Sequence, residues 1–169
     1  MKKRFDLRRL TPPGLSAKLE AGWAAALLVP ILLWHAVYWI ALLHARTDLF
    51  LTVDGKTELI PNAVMPDFYE LVHGAYNGFA ILFLFLICLV VYHYAFFYRG
   101  SRSIYLMKRL PKKSELFYRC TALPALLFLA CLVLMGILFL GDFGLYQIAT
   151  PKECMTGGQW QKFWIALWR

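Results

Sequence analysis

Three long apolar runs, over residues 23–43, about 74–97 and 121–140, constrain this chain more than any other feature. An α-helix rises about 1.5 Å per residue, so some twenty apolar residues cover the roughly 30 Å of a bilayer's hydrocarbon. Hydrophobic residues make up 60% of the 169, aromatic residues 17%, and mean hydropathy is +0.56, too apolar for a soluble domain of this size. The sequence predicts an all-α integral membrane protein with three transmembrane helices. The first run is not expected to be a cleaved signal peptide, because its core is too long and no small-residue cleavage site follows it.

Charge orients the runs. Residues 99–120 carry seven of the eighteen basic residues with Glu115 as their only acid, and residues 1–22 carry six more against Asp6 and Glu20. Lys and Arg near helix ends resist translocation, so both segments are expected on the cytoplasmic side of the plasma membrane. Residues 44–73 show the reverse bias, with Asp48, Asp54, Glu58, Asp67 and Glu70 against Arg46 and Lys56, and belong outside. Three spans then put residues 142–169 outside as well. This topology accounts for the net charge of +8 without nucleic acid as a partner.

The chain thus divides into a cytoplasmic segment 1–22, a transmembrane domain 23–141 and an extracytoplasmic tail 142–169. In the first, Phe5, Leu7, Leu10, Leu15 and Leu19 interleave with basic residues, as in an amphipathic segment lying on the inner leaflet; a solvated basic tail is the alternative. The outer loop 44–73 alternates around Asp54-Gly55, a pair suited to a tight turn, which predicts a small extracellular β-hairpin. Gly74 and Gly78 form a GxxxG step for close helix packing. In the tail, Trp160, Phe163, Trp164, Leu167 and Trp168 stand at i, i+3, i+4, i+7 and i+8, one helical stripe that is too short to span. It predicts a C-terminal helix anchored in the outer interface, or else one covering the bundle.

The cytoplasmic loop 99–120 carries the most specific pattern. Ile104, Met107 and Leu110 recur on one side of a short helix that Pro111 ends. The order Ser101, Arg102, Ser103, then Leu110-Pro111, Lys112-Lys113 and Glu115-Leu116-Phe117 resembles the first inner loop of ABC-2 type transporter permeases. The resemblance covers residues 1 to about 141, the layout of the N-terminal three spans in a family with six per subunit, and the tail departs from it. It implies a coupling helix that docks a separate ABC ATPase subunit through Ser101, Arg102, Ser103, Ile104, Met107, Lys108, Arg109 and Leu110. It also implies another permease chain or a second copy as partner, and ATP with magnesium in the ATPase rather than in this chain.

Motifs for chemistry within the chain are missing: there is no GxxxxGK[ST], HExxH, GxSxG or CxxC. No catalytic residue and no cofactor is therefore expected in this chain. The four histidines offer one weak metal or haem pairing, His44 with His73, at similar depth on the first two spans; His35 and His93 fall at different depths. His35, mid-span, reads as a neutral imidazole hydrogen-bonded across the bundle or as a functional group. Three functions stay open: a permease or accessory subunit of an ABC-type exporter, a small membrane scaffold or regulatory subunit, and a haem- or metal-binding membrane protein.

Overall fold

A computed structural model describes residues 15–53, 56–99 and 113–168. The order of elements is α1 (Ala17–Thr47), β1 (Phe50–Val53), β2 (Lys56–Leu59), α2 (Phe68–Val72), α3 (Asn77–Arg99), α4 (Lys113–Ala149) and α5 (Gln159–Leu167). Among the described residues, three helices are long and apolar enough to cross a membrane: Ala17–Thr47, Asn77–Phe96 and Phe117–Ala149. The protein is mostly helical and membrane-embedded. Residues 1–14, the Asp54-Gly55 turn and the docking residues Ser101, Arg102, Ser103, Ile104, Met107, Lys108, Arg109 and Leu110 lie outside the described residues.

The helices outrun the apolar stretches that mark them. α1 starts six residues before the run at Trp23, and α4 extends nine residues past Leu140. Backbone hydrogen bonds propagate a helix irrespective of whether the surroundings are lipid or water, and Gly141 and Gly144 each cost only about 1 kcal/mol there. α3 shows why the medium must be hydrocarbon. Phe79, Leu82, Leu86, Leu89 and His93 are buried on one face, while Ile81, Leu84, Ile87 and Val91 on the other are 59–65% exposed. A helix apolar on both faces is stable only where its outer face meets lipid or protein.

The chain forms two compact units, one of residues up to Pro30 with Phe79–Leu134, the other of Ile31–Gly78 with the residues from Met135 onward. In the first, Phe83 on α3 meets Phe128 on α4 at 4.7 Å between ring centroids, beside buried Leu82, Leu86 and Leu123. The second has Phe68 as its hub. This fully buried ring lies within 5.2–6.2 Å of Tyr38, Phe139, Phe143, Tyr146 and Phe163, the spacing at which aromatic pairs attract. Within this unit β1 and β2 pair antiparallel, Val53 opposite Lys56, as a two-residue turn requires.

The two glycines of the GxxxG step do different work. Gly78 lies in α3 against α1, where a Cβ would come within 3.0 Å of Ile31 Cγ2; this is the close approach. Gly74 precedes the helix at φ +89°, a turn conformation that favours glycine, and its carbonyl accepts the Trp34 indole N–H at 3.1 Å.

Sidedness can be read chemically, but not from Cys154. That thiol is only 3% exposed, and its backbone carbonyl accepts the Met65 N–H. Wild-type protein should therefore stay unlabelled by a membrane-impermeant maleimide until it is unfolded. A Lys152→Cys variant, at an exposed neighbour, should label in intact cells if the tail is outside. Labelling only in inverted vesicles would reverse the orientation.

Candidate functional site

Each unit carries a histidine in contact with a carboxylate, both groups buried inside the protein. In the second unit, Asp142 of α4 projects toward α1, where His35, Tyr38 and Trp39 share one face through their i, i+3, i+4 spacing. His35 Nε2 lies 3.0 Å from Asp142 Oδ2, both side chains 2% exposed. Tyr76, in the turn before α3, donates to the same oxygen at 2.6 Å. Trp39 Nε1 donates to Oδ1 at 3.2 Å, and Tyr38 donates to the Asp142 backbone carbonyl at 2.7 Å. One carboxylate thus draws together α1, the α3 approach and α4.

Oδ2 already accepts from Tyr76, and His35 approaches it as a close contact: among the described residues both ring nitrogens, Nδ1 and Nε2, are buried without a hydrogen-bond partner. The ring is wedged between Tyr38, Trp39 and Tyr76, at centroid distances of 5.0–6.2 Å. The arrangement ties helices together and presents no open face to a substrate.

In the first unit, Glu20 of α1 meets His93 of α3, Oε2 to Nε2 at 3.0 Å, the imidazole fully buried. His93 Nδ1 faces the Cys120 carbonyl of α4 at 2.8 Å. A carbonyl only accepts, so Nδ1 carries its hydrogen. Nε2 then meets Oε2 as a close contact in which neither atom is in hydrogen-bond geometry.

A third polar cluster ties the tail down. Asp67 is the residue before α2, yet its side chain makes no capping bond. Instead Gln159 of α5 caps α2, its Oε1 accepting the Phe68 N–H at 3.0 Å and its Nε2 donating to Asp67 Oδ1 at 2.9 Å. Lys162 Nζ reaches Asp67 at 2.8 and 3.1 Å, and Thr156 donates to it at 2.7 Å. The Lys162 ammonium, hydrogen-bonded to Asp67, holds that carboxyl below its usual range. Partial burial opposes this, while Thr156, Gln159 and the Lys162 charge add to the lowering.

The stripe on α5 is divided by this seating. Phe163, half-buried, packs on Phe139 at 4.9 Å; Trp160 reaches Phe143 at 5.4 Å but is as exposed as Trp164, at 42% and 44%, and Trp168 is 85% exposed. His44 and His73 are both exposed, and no group of three or more His, Cys, Asp or Glu side chains that could hold a metal occurs among the described residues. No family model matches the chain, and neither does any curated protein or solved structure.

Sequence reading placed Glu20 in the cytoplasmic segment and Asp142 in the tail, and so missed both carboxylates as partners. The available signal was the polar face His35, Tyr38, Trp39 on an otherwise apolar helix, which calls for an acceptor at matching depth.

Two outcomes follow. Asp142→Ala strips the acceptor from three side chains and should cost about 3–5 kcal/mol, the scale for orphaning one member of a buried pair, read as loss of helical ellipticity at lower denaturing-detergent fraction. Asp142→Asn, still an acceptor through its amide oxygen, should cost less. For Asp67 the folded value lies below the unfolded 3.8, so its contribution is fully present above 3.8 and is lost as pH falls through the folded value. Tail tryptophan fluorescence should stay constant from pH 7 down to about 4 and change only below that. Asp67→Asn should abolish the low-pH step; a wild-type signal that already moves between pH 7 and 5 would contradict the assignment.

Proposed function

We propose that the chain is a non-catalytic membrane subunit, permease or accessory, of an ATP-driven exporter of the ABC type, which docks a separate ATPase through its cytoplasmic loop. The observation that carries this reading is the order of residues in that loop, Ser-Arg-Ser, Leu-Pro, Lys-Lys, Glu-Leu-Phe. Its flanks support it. α3 remains helical to Arg99 and α4 begins at Lys113, so only residues 100–112 connect two spanning helices, a short basic link with Ile104, Met107 and Leu110 as its apolar points. Such a link would pass a displacement of the ATPase into both helices.

Partner chains are part of the proposal. α4 leaves Leu126, Leu129, Val133, Ile137 and Leu140 exposed along its length, room for lipid and for another permease chain or a second copy. The site described above fits a subunit that must move as stiff bodies: buried ion-pair contacts fix which residues face one another inside each unit. On this reading residues 1–22 and 99–120 are cytoplasmic, the hairpin and tail are outside, and α5 lies at the outer interface of the plasma membrane.

Met107→Asp tests the docking. Burying one such side chain contributes about 1.5–3 kcal/mol, so the variant should insert normally yet bind its ATPase on the order of 10- to 100-fold more weakly, with transport-coupled ATP hydrolysis lost. Wild-type affinity in a normally inserted variant would remove the docking role. Co-purification of the wild type that brings down no nucleotide-binding protein would favour the scaffold reading.

A further inference from the structure

The second unit contains a pocket of about 430 Å³ that none of the contacts above requires. Its walls are Val72 at the end of α2, Met135 and Phe139 on α4, and Phe163 and Trp164 on α5. Gly136 opens it. This exposed glycine sits in the spanning stretch of α4, and a Cβ built there would meet nothing within 4 Å. The volume falls within the roughly 300–1,000 Å³ typical of small-molecule sites.

Chemistry decides what could fill it. The Tyr76 hydroxyl, the polar group nearest its inner wall, is already committed to Asp142. Apart from Tyr69 and His73 at one end, the remaining wall is mostly aliphatic or aromatic carbon, so a polar ligand seated along it would lose its hydration without recompense. Position narrows the choice further. Tyr69 and His73 line one end, beyond the spanning helices, and Met135 lines the other, fourteen residues or about 21 Å inside the end of α4 at Ala149. The pocket therefore runs from an aromatic, interfacial rim into the hydrocarbon, the course of a lipid's own chain. Its outer wall is also rigid, because Asp67 holds Gln159 and Lys162 and these fix the helix that presents Phe163 and Trp164.

We propose that this pocket binds one acyl chain of a phospholipid drawn from the surrounding bilayer. The lipid's glycerol region lies at Tyr69 and His73 and its chain extends past Gly136 toward Met135. Because the pocket is walled by α2, α4 and α5 together, the lipid is a component of the unit rather than one of the exchanging molecules along the exposed face of α4.

Photo-crosslinking tests this on the full chain. The protein is reconstituted in vesicles of phosphatidylethanolamine and phosphatidylglycerol containing a phospholipid with a diazirine in one acyl chain, irradiated, and mapped by peptide mass spectrometry. Adducts should concentrate on Met135, Phe139 and Trp164, saturate at one per chain, and be competed by unlabelled phospholipid. Gly136→Leu, which places a side chain in the opening, should reduce them to the level found at Ile137. Gly141→Leu, an equivalent change at an exposed glycine with nothing within 4 Å of its Cβ, should leave them unchanged. Circular dichroism and tail fluorescence matching wild type show that both variants are folded. Adducts spread evenly over Ile137, Leu140 and the pocket residues, or unaffected by Gly136→Leu, would overturn the site. Competition by free fatty acid but not by phospholipid would overturn the assigned ligand.

Discussion

A carboxylate buried among apolar and aromatic side chains must be met by donors, and most of the second unit's arrangement can be read as the answer to that demand at Asp142. Removing an ion from water costs several kcal/mol even after relaxation. The compensation here comes from an imidazole, a phenol and an indole, contributed by α1 and by the turn that leads into α3. Those groups can reach one point only if α1 presents the His35 face and if the chain turns at Gly74 to deliver Tyr76. The aromatic packing around Phe68 then fills the space that these constraints define.

The carboxylate of Glu20 repeats the logic with fewer partners. Its neighbour His93 is oriented by a backbone carbonyl rather than by a second side chain, and neither Glu20 oxygen has a hydrogen-bond partner among the described residues. Asp142 is saturated and Glu20 is not. A saturated buried group favours one packing strongly, whereas an incompletely satisfied one leaves the competing arrangements closer in energy.

Much of the helical layout was legible because hydrocarbon thickness imposes a length that composition reports directly. The apolar runs locate three helices long and apolar enough to cross a membrane. Helix ends were not legible, since Gly141-Asp142-Phe143-Gly144 looks like a break after an apolar run, yet an intact backbone ladder carries α4 through it to Ala149. The same misreading hid Asp142. Asp67 shows a second kind of limit. A carboxylate just before a short helix suggests a local cap, but a long-range partner, Lys162, outcompetes that geometry and hands the capping to Gln159. The stripe on α5 was visible as periodicity; that Phe163 turns to protein while Trp168 does not depends on partners about ninety residues upstream or on α4.

The way the two units interleave in sequence sets an order of assembly. Residues up to Leu134 suffice for the first, with Glu20, His93 and Cys120 all made by then. The second begins at Ile31, before the first is complete, but Phe68 waits for Gln159 and Asp67 for Lys162. Since chains emerge from the ribosome at about 5–20 residues per second, the polar ends of α2 stay unmet for several seconds after synthesis. For that interval the residues that donate to Asp142 have been synthesised while α5, which completes the second unit, has not.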